Sequence, residues 1–520
     1  MYGHDDTSSR YSPLQQIDTR NVHALTRVWT YHMDTSEAAS TKAGPVSLGG
    51  GRHASEATPI MVDNVLYLPT PYHTVIALNA ENGQLLWSYT LKHGSPGTRG
   101  VAYWPGDGDA PPSIVFGTSD GRLWSLNAKT GQPNPGFGEN GSIDLRAGAT
   151  NGVAHPRLDL SSPPAIYKDL VITGAQTQES PGLGPSADTR AWDLRTGKLV
   201  WRFHSAPHTG ELGNNTWADH SWVARSGTNV WGFMSIDAQR GLVFLPYGSP
   251  SYDFYGADRA GKDLFGNSLV ALNANDGKLV WYFQVVHHDL WDYDLESAPV
   301  LVDVKHHGRT IPAVALISKN GLLFILDRRN GKPIYGVEER PVPRSTVPGE
   351  KSWPTQPFPL KPPPLGPHSF SPADIADVTP EQKAFCTKLL ATEGGMESGG
   401  TYTPDGMKLS VIFPGSIGVA NWPGMSYNPK LGYLFVNTAS LGDVAKLVYA
   451  GAGADPAYQR TSPWGAYARF WNNDKFWPCQ KPPWGQLWAI NVNTGDVAWK
   501  VPFGEIKELE AKGVYGTGAL

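Results

Sequence analysis

The chain has 520 residues, of which 17% are charged, and its 43 Lys and Arg against 47 Asp and Glu leave a net charge of −4. Charge this sparse and this balanced excludes long disordered tails, a basic nucleic-acid footprint and a polybasic membrane face. Glycine (58) and proline (44) accompany 19 Trp and 21 Tyr, a combination that points to many short strands rather than to helices.

No apolar run approaches the ~18 residues that span a bilayer, and the strongest, Gly321 to Leu326, is strand-sized. Met1 is followed at once by Tyr-Gly-His-Asp-Asp, so the chain is expected to be cytosolic or to be presented without its leader. Cys386 and Cys479 are too few for a haem-attachment motif, a zinc ribbon or a disulfide scaffold. They form either one long-range bridge or two buried thiols.

Along the chain one pattern recurs. Ala77-Leu-Asn-Ala-Glu-Asn-Gly83-Gln-Leu-Leu-Trp87 returns as Ala191 to Trp201, as Ala271 to Trp281 and as Ala489 to Trp499. Weaker copies lie at Ser125 to Gly131 and at Ile325 to Gly331, where Tyr335 takes the place of Trp. Each copy reads as strand, tight turn, strand, with Asn or Asp opening the turn and Gly supplying a positive φ. The spacings between the glycines, 48, 66, 80 and 54 residues, suit one four-stranded sheet plus loops per repeat. That is the unit of a β-propeller. The last gap, 164 residues from Gly331 to Gly495, leaves room for two or more blades and a large insertion, which the Pro-rich stretch at about 340–372 supplies. Trp87, Trp201, Trp281 and Trp499 are therefore read as plugs between neighbouring sheets, not as site residues.

One stretch resists a packing explanation. His287-His288-Asp289-Leu290-Trp291-Asp292-Tyr293-Asp294 puts three carboxylates and two imidazoles into eight residues after a strand ending at Val286. A solvated turn whose Asp residues cap backbone amides is one reading of it. Zinc is a poor one, because adjacent residues in a strand face opposite ways. The carboxylates favour calcium or a similar oxygen-seeking ion.

The repeats, this stretch and Ser318-Lys319-Asn-Gly-Leu-Leu-Phe-Ile-Leu-Asp-Arg-Arg-Asn-Gly together resemble the quinoprotein dehydrogenases, in the glucose and quinate dehydrogenase branch. The resemblance runs over nearly the whole chain. It implies an all-β fold, one eight-bladed β-propeller over residues 1–520 with tryptophan-docking repeats. Because the family normally continues past Leu520, the last blade is expected to be incomplete. The implied activity is oxidation of a CH–OH group of a sugar or polyol, with pyrroloquinoline quinone (PQQ) as hydride acceptor. Electrons would pass on to ubiquinone or another respiratory acceptor, in the periplasm or at the inner membrane.

The resemblance also implies roles. Asp292 matches the catalytic carboxylate, and Lys319 the lysine that contacts the quinone oxygens. Glu56, Arg99, Ser161, Trp231 and Asn421 match PQQ-binding residues, with Trp231 as the aromatic floor and Arg99 as a bidentate donor to PQQ carboxylates. Glu179, Ser249, Asp292 and Asp294 match the metal-ligand positions. Ser249 stands where an asparagine is usual, and Asp294 at the position that marks lanthanide users. The metal is thus calcium, magnesium or a lanthanide. Tyr72 stands where glucose-oxidising relatives place a histidine, so the substrate stays open. A non-catalytic scaffold and an inactive truncated pseudoenzyme are the alternative readings; a scaffold would have no reason to keep the polar set together.

Overall fold

The computed structural model describes residues 2–33 and 55–520. The repeats form antiparallel sheets, as their turn chemistry requires. In the first sheet, strands Ile60–Val62, Val65–Pro69, Thr74–Asn79 and Leu85–Thr90 pair in sequence order. The turn before the last strand closes by a bond from Gly83 N to Asn79 O at 2.9 Å, while Asn79 Oδ1 accepts from Glu81 N at 2.9 Å. Gly83 has a φ of 72° there, a region in which a side chain is strained.

The same glycine has a second reason to lack a side chain. A Cβ on Gly131, Gly277 or Gly331 would lie 2.6 Å from the indole of Trp87, Trp201 or Trp281, respectively. Each of these indoles, coming from the preceding repeat, also donates Nε1–H to a backbone carbonyl at the start of the turn: Trp87 to Ala128, Trp201 to Ala274 and Trp281 to Arg328, at 2.9 to 3.1 Å. Trp29, outside the repeats recognised in sequence, docks on the Gly83 turn in the same way, with Nε1 3.1 Å from Ala80 O. Tyr335 substitutes for Trp as its place in the pattern suggests: its ring lies on Gly495 and its hydroxyl donates to Val492 O at 2.5 Å.

The docking order and the adjacency of first strands arrange six sheets radially, within residues 60–90, 102–144, 165–203, 235–284, 300–327 and 425–502. A seventh sheet, Glu397–Gly399, Ser410–Ile412, Asp443–Tyr449 and Tyr458–Thr461, is threaded through the last of these and contains a parallel pair. Against the eight blades that the resemblance implies, the described residues show these seven sheets of three or more strands. The long gap before Gly495 therefore holds one radial sheet and one inserted sheet. The Pro-rich stretch contributes a strand, Thr355–Pro359, that pairs with Val337–Pro341. Trp499 differs from the other repeat indoles: it is 40% exposed and lies against Phe435 of its own sheet, with no turn glycine upon it among the described residues.

A helix, Pro380–Leu390, is capped by Thr379, whose hydroxyl accepts from Gln382 N at 3.1 Å. It carries Cys386, which is bonded to Cys479, so the cysteines form the bridge rather than two thiols. Among the described residues no helix is long and apolar enough to cross a membrane.

Candidate active site

Loops between the radial sheets enclose a cavity of about 240 Å³. Arg99, Glu179, Trp231, Ser249, Asp292, Asp294 and Lys319 all line it, from segments up to 220 residues apart in the chain. Seven of the residues singled out in sequence are thus brought together by the fold.

The acidic stretch divides its labour. Asp289 is an organiser: its Oδ1 accepts from Trp291 N and its Oδ2 from Tyr293 N, both at 2.8 Å, and Asn267 Nδ2 donates to the same Oδ2 at 2.8 Å. That is the capping role that a bland turn would give it. The two bonds fold the loop so that Asp292, at a φ of 58°, occupies the left-handed region, which costs a residue with a side chain about 1–2 kcal/mol. Asp292 and Asp294 then both reach Lys319, whose Nζ donates to Asp292 Oδ1 at 2.7 Å and to Asp294 Oδ2 at 2.9 Å.

These two carboxylates are unequal. Burial alone would raise the pKa of Asp294, but Lys319 and the Ser249 amide (N to Oδ1, 2.6 Å) reverse the shift and hold it below the usual carboxylate range. Trp231 Nε1 donates to the same side chain at 3.2 Å. The close approach needs Gly248, where a Cβ would stand 2.5 Å from Asp294 Oδ1. Among the described residues, Asp292 has Lys319 alone as donor. Burial, reinforced by the negative charges of Asp294, Asp253 and Glu179, outweighs that cation and pushes its pKa well up. The basic, proton-hungry carboxylate is therefore Asp292.

Arg99 forms the other end. Its guanidinium lies over the rings of Trp231 and Trp422, 5.0 and 4.8 Å from their centroids. Nε donates to Glu56 Oε2 at 2.9 Å, and Nη1 to Ser161 Oγ, Ser162 Oγ and Trp231 O at 3.1 to 3.2 Å. Glu56 and Ser161 thus act on the site through Arg99. Nη2 has no hydrogen-bond partner among the described residues.

Two of the expected residues are placed differently. Asn421 does not line the cavity; its amide bridges Ile417 O and Trp422 N inside its own loop, which holds Trp422 against Arg99. The hydroxyl of Ser249 donates to Asp289, so its backbone amide rather than its side chain serves Asp294. The imidazoles face away to separate carboxylates: His287 to Glu339, and His288 to Asp263 and Glu350 at 3.0 and 2.9 Å.

Sequence reasoning passed over Asp253, Trp422, Glu296 and Tyr467. Asp253 lines the cavity, and Glu296 is buried beside it with neither carboxylate oxygen hydrogen-bonded among the described residues. Tyr467, in the turn after the last strand of the inserted sheet and 44% exposed, donates to Glu179 Oε2 at 2.8 Å. Only Asp253, four residues after Ser249, had a positional signal.

Residues 1–518 match the family described as PQQ: glucose/ethanol/alcohol dehydrogenase, beta-propeller domain. The chain belongs to that family. It is 32% identical to the quinate/shikimate dehydrogenase (quinone) of Acinetobacter baylyi, covering 99% of this chain and 67% of the relative. Its identity to the quinoprotein glucose dehydrogenase of Gluconobacter oxydans is also 32%, over 98% of this chain and 66% of the relative. With the glycerol dehydrogenase large subunit of Gluconobacter thailandicus it shares 30%, over 99% and 72%. The chain spans about two thirds of the length of these curated relatives. Among solved structures, the quinohemoprotein alcohol dehydrogenase from Comamonas testosteroni has a TM-score of 0.67 at 23% identity, covering 96% of this chain and 66% of that one. A europium-containing methanol dehydrogenase scores 0.63 at 20%, covering 96% and 77%. These two likenesses show the propeller fold.

The cavity suits the family's cofactor. PQQ is flat and carries carboxylates, and here an indole face meets two cations, Arg99 at 5.0 Å and Lys319 at 5.8 Å from the Trp231 centroid. The free Nη2 of Arg99 is a ready carboxylate donor. For a metal, the donor set is of the right kind: hard oxygens from Glu179, Asp253, Asp292 and Asp294. Among the described residues, however, no three acidic, His or Cys side chains gather closely enough to enclose an ion.

Proposed function

We propose that this propeller is a quinoprotein dehydrogenase that oxidises a CH–OH group of a sugar or polyol. The observation that carries the reading is the Lys319 ammonium held between Asp292 and Asp294 beside the Trp231 indole. Trp231, Arg99 and Lys319 would hold PQQ, with Glu56 and Ser161 orienting Arg99. When bound, PQQ would accept the two electrons and hydrogen of the substrate's C–H bond. Asp292, held by Lys319 beside the Trp231 face, takes the hydroxyl proton, a contribution typically worth about 10²–10⁴-fold. Lys319 keeps the carboxylate aimed, and burial excludes the water that would compete for it. Glu179, Asp292 and Asp294 are the metal-ligand positions for calcium, magnesium or a lanthanide, whose Lewis acidity would assist the same step.

The glucose, quinate and glycerol dehydrogenases among its relatives support the substrate class and a ubiquinone or other respiratory acceptor. A periplasmic location, with or without attachment to the inner membrane, is supported by the buried Cys386–Cys479 bridge, which belongs in an oxidising compartment. One β-propeller domain with an insertion at about 340–372 is the organisation we propose.

The test is a PQQ titration of the purified chain, followed by Trp fluorescence with calcium and then with chelator, and by dye reduction with aldoses and polyols. Saturable quenching with turnover is expected. A cooperatively melting chain that shows neither would favour the scaffold or pseudoenzyme reading.

A further inference from the structure

A fully buried arginine ties together two segments that wall the cavity. Arg259 ends the short 3-10 turn Ala257–Arg259. Its Nη2 donates to Tyr252 O at 3.0 Å and to Asp289 O at 2.5 Å. Tyr252 precedes Asp253 of the cavity lining, and Asp289 folds the loop that delivers Asp292. One planar nitrogen with two N–H groups serves both carbonyls, a geometry that a lysine ammonium does not reproduce.

The aim of this guanidinium is set from the Pro-rich stretch. Nη1 donates to Asp263 Oδ2 at 2.6 Å, and His288 Nδ1 meets the same oxygen at 3.0 Å. His288 Nε2 meets Glu350 Oε1 at 2.9 Å, and Glu350 Oε2 accepts from Gly256 N at 2.5 Å. The close approach needs Gly256, where a Cβ would lie 2.9 Å from Arg259 Cζ and 3.0 Å from His288 Nε2. Further along the same stretch, the Gln356 amide pairs with both backbone groups of His287, at 2.8 and 2.7 Å. The side chains of Arg259, Asp263, His288, Glu350 and Gln356 are all buried, and none of them lines the cavity.

We propose that Arg259 is a positioning residue for the Asp292 carboxylate, and that Glu350 and Gln356 make the Pro-rich stretch the strut that holds it. Their role rests on the dehydrogenase reading, and they act through the loop backbone rather than on substrate or cofactor. Asp292 stands at a φ of 58°, a conformation that persists only where the surroundings over-determine it. Asp289 supplies one hold from inside the loop. Arg259 and Gln356 supply the others, on the Asp289 carbonyl and on the backbone of His287. Loosening them lets the carboxylate miss the reacting hydroxyl, while Arg99 and Trp231 come from other segments and stay in contact. A misplacement of about 1 Å caused far from the chemistry can cost about 10²-fold in rate. An amide at position 350 does not replace the carboxylate. Both oxygens accept, Oε1 from His288 and Lys351 N and Oε2 from Gly256 N, so an NH2 group there would face a donor.

The test uses the full chain and its Arg259→Lys, Glu350→Gln and Gln356→Leu variants. Hydrogen exchange of the unloaded chain reads the loop directly, on peptides covering residues 286–295. Exchange there should quicken about tenfold in each variant, while strands Ser113–Gly117 and Arg309–Ile317 keep parental rates. After PQQ loading, dye reduction with glucose and glycerol should show kcat lowered about 10- to 100-fold and KM within about threefold of the parent. PQQ affinity, read by Trp quenching, should match the parent. Should Arg259→Lys not fold, the other two variants leave the guanidinium in place and carry the same expectations. Parental exchange in the loop, exchange raised evenly over the whole chain, or a loss confined to KM or PQQ affinity would overturn the proposal. Failure of the dehydrogenase reading looks different: the parent itself shows neither quenching nor turnover, while the loop still loosens in the variants.

Discussion

Lys319 donates to Asp292 at 2.7 Å across 27 residues of chain, and the carboxylate it holds has no other donor among the described residues. This pair makes the site both reactive and fragile. Asp292→Asn keeps the shape and removes the base. Turnover should fall by about 10²–10⁴-fold while the melting temperature stays near that of the parent, as checked by dye reduction and calorimetry on the same sample.

Lys319→Ala should behave otherwise. Its side chain is 7% exposed, and its removal strands two buried carboxylates. Breaking a buried pair by deleting one partner costs about 3–5 kcal/mol. Denaturant melts should show that loss together with weakened PQQ binding. A stability equal to the parent's would mean that Asp292 and Asp294 find other partners.

The docking indoles yield a paired prediction. Trp281 is 7% exposed and plugs the Gly331 turn of the next sheet, so Trp281→Ala should cost about 3–5 kcal/mol. Trp499 occupies the same place in its repeat but is 40% exposed, and Trp499→Ala should fall within about 0.5 kcal/mol of the parent. Calorimetry of the two variants separates repeat membership from actual docking.

His288 provides a pH signature. Burial alone would lower its pKa, yet Asp263 and Glu350 raise it to about 9. A histidine raised above its unfolded value of 6.5 stabilises fully below that pH, and the contribution fades as pH rises toward 9. Stability should therefore drop by on the order of 3 kcal/mol between pH 6 and 10, and Glu350→Gln should flatten much of that slope in urea melts. Because Glu350 lies in the Pro-rich stretch, a flat parent profile would show that this stretch is held by other contacts.

The disulfide is the last handle. Cys386–Cys479 ties the helix at 380–390 to a segment 93 residues away. Reduction, or Cys386→Ser with Cys479→Ser, should cost about 2–5 kcal/mol, read as a lower melting temperature in dithiothreitol that the double variant does not show further.

What the amino-acid order determined by itself was local and periodic. The Asn-to-Gly turns close through bonds within five residues, so Gly83, Gly277 and Gly495 announce their hairpins wherever they occur, and the spacing of the copies announces repeated sheets. Asp292, Lys319, Arg99 and Trp231 were legible because a family motif brings its own register. Tertiary structure decided the rest. That Tyr335 docks on Gly495, making the sheets at 300–327 and 425–502 neighbours, depends on which turn the ring meets after a long insertion. The roles of Asp289, Ser249 and Asn421 turned on hydrogen bonds inside their own loops, which composition does not reveal. Asp253 lines the cavity while Tyr467 reaches the Glu179 carboxylate, and only the packing of Tyr467 and Arg460 on Phe254 brings those segments together. A short-range bond is fixed by neighbours in sequence, whereas a pocket is fixed by the packing of segments hundreds of residues apart, and that packing was settled by the fold as a whole.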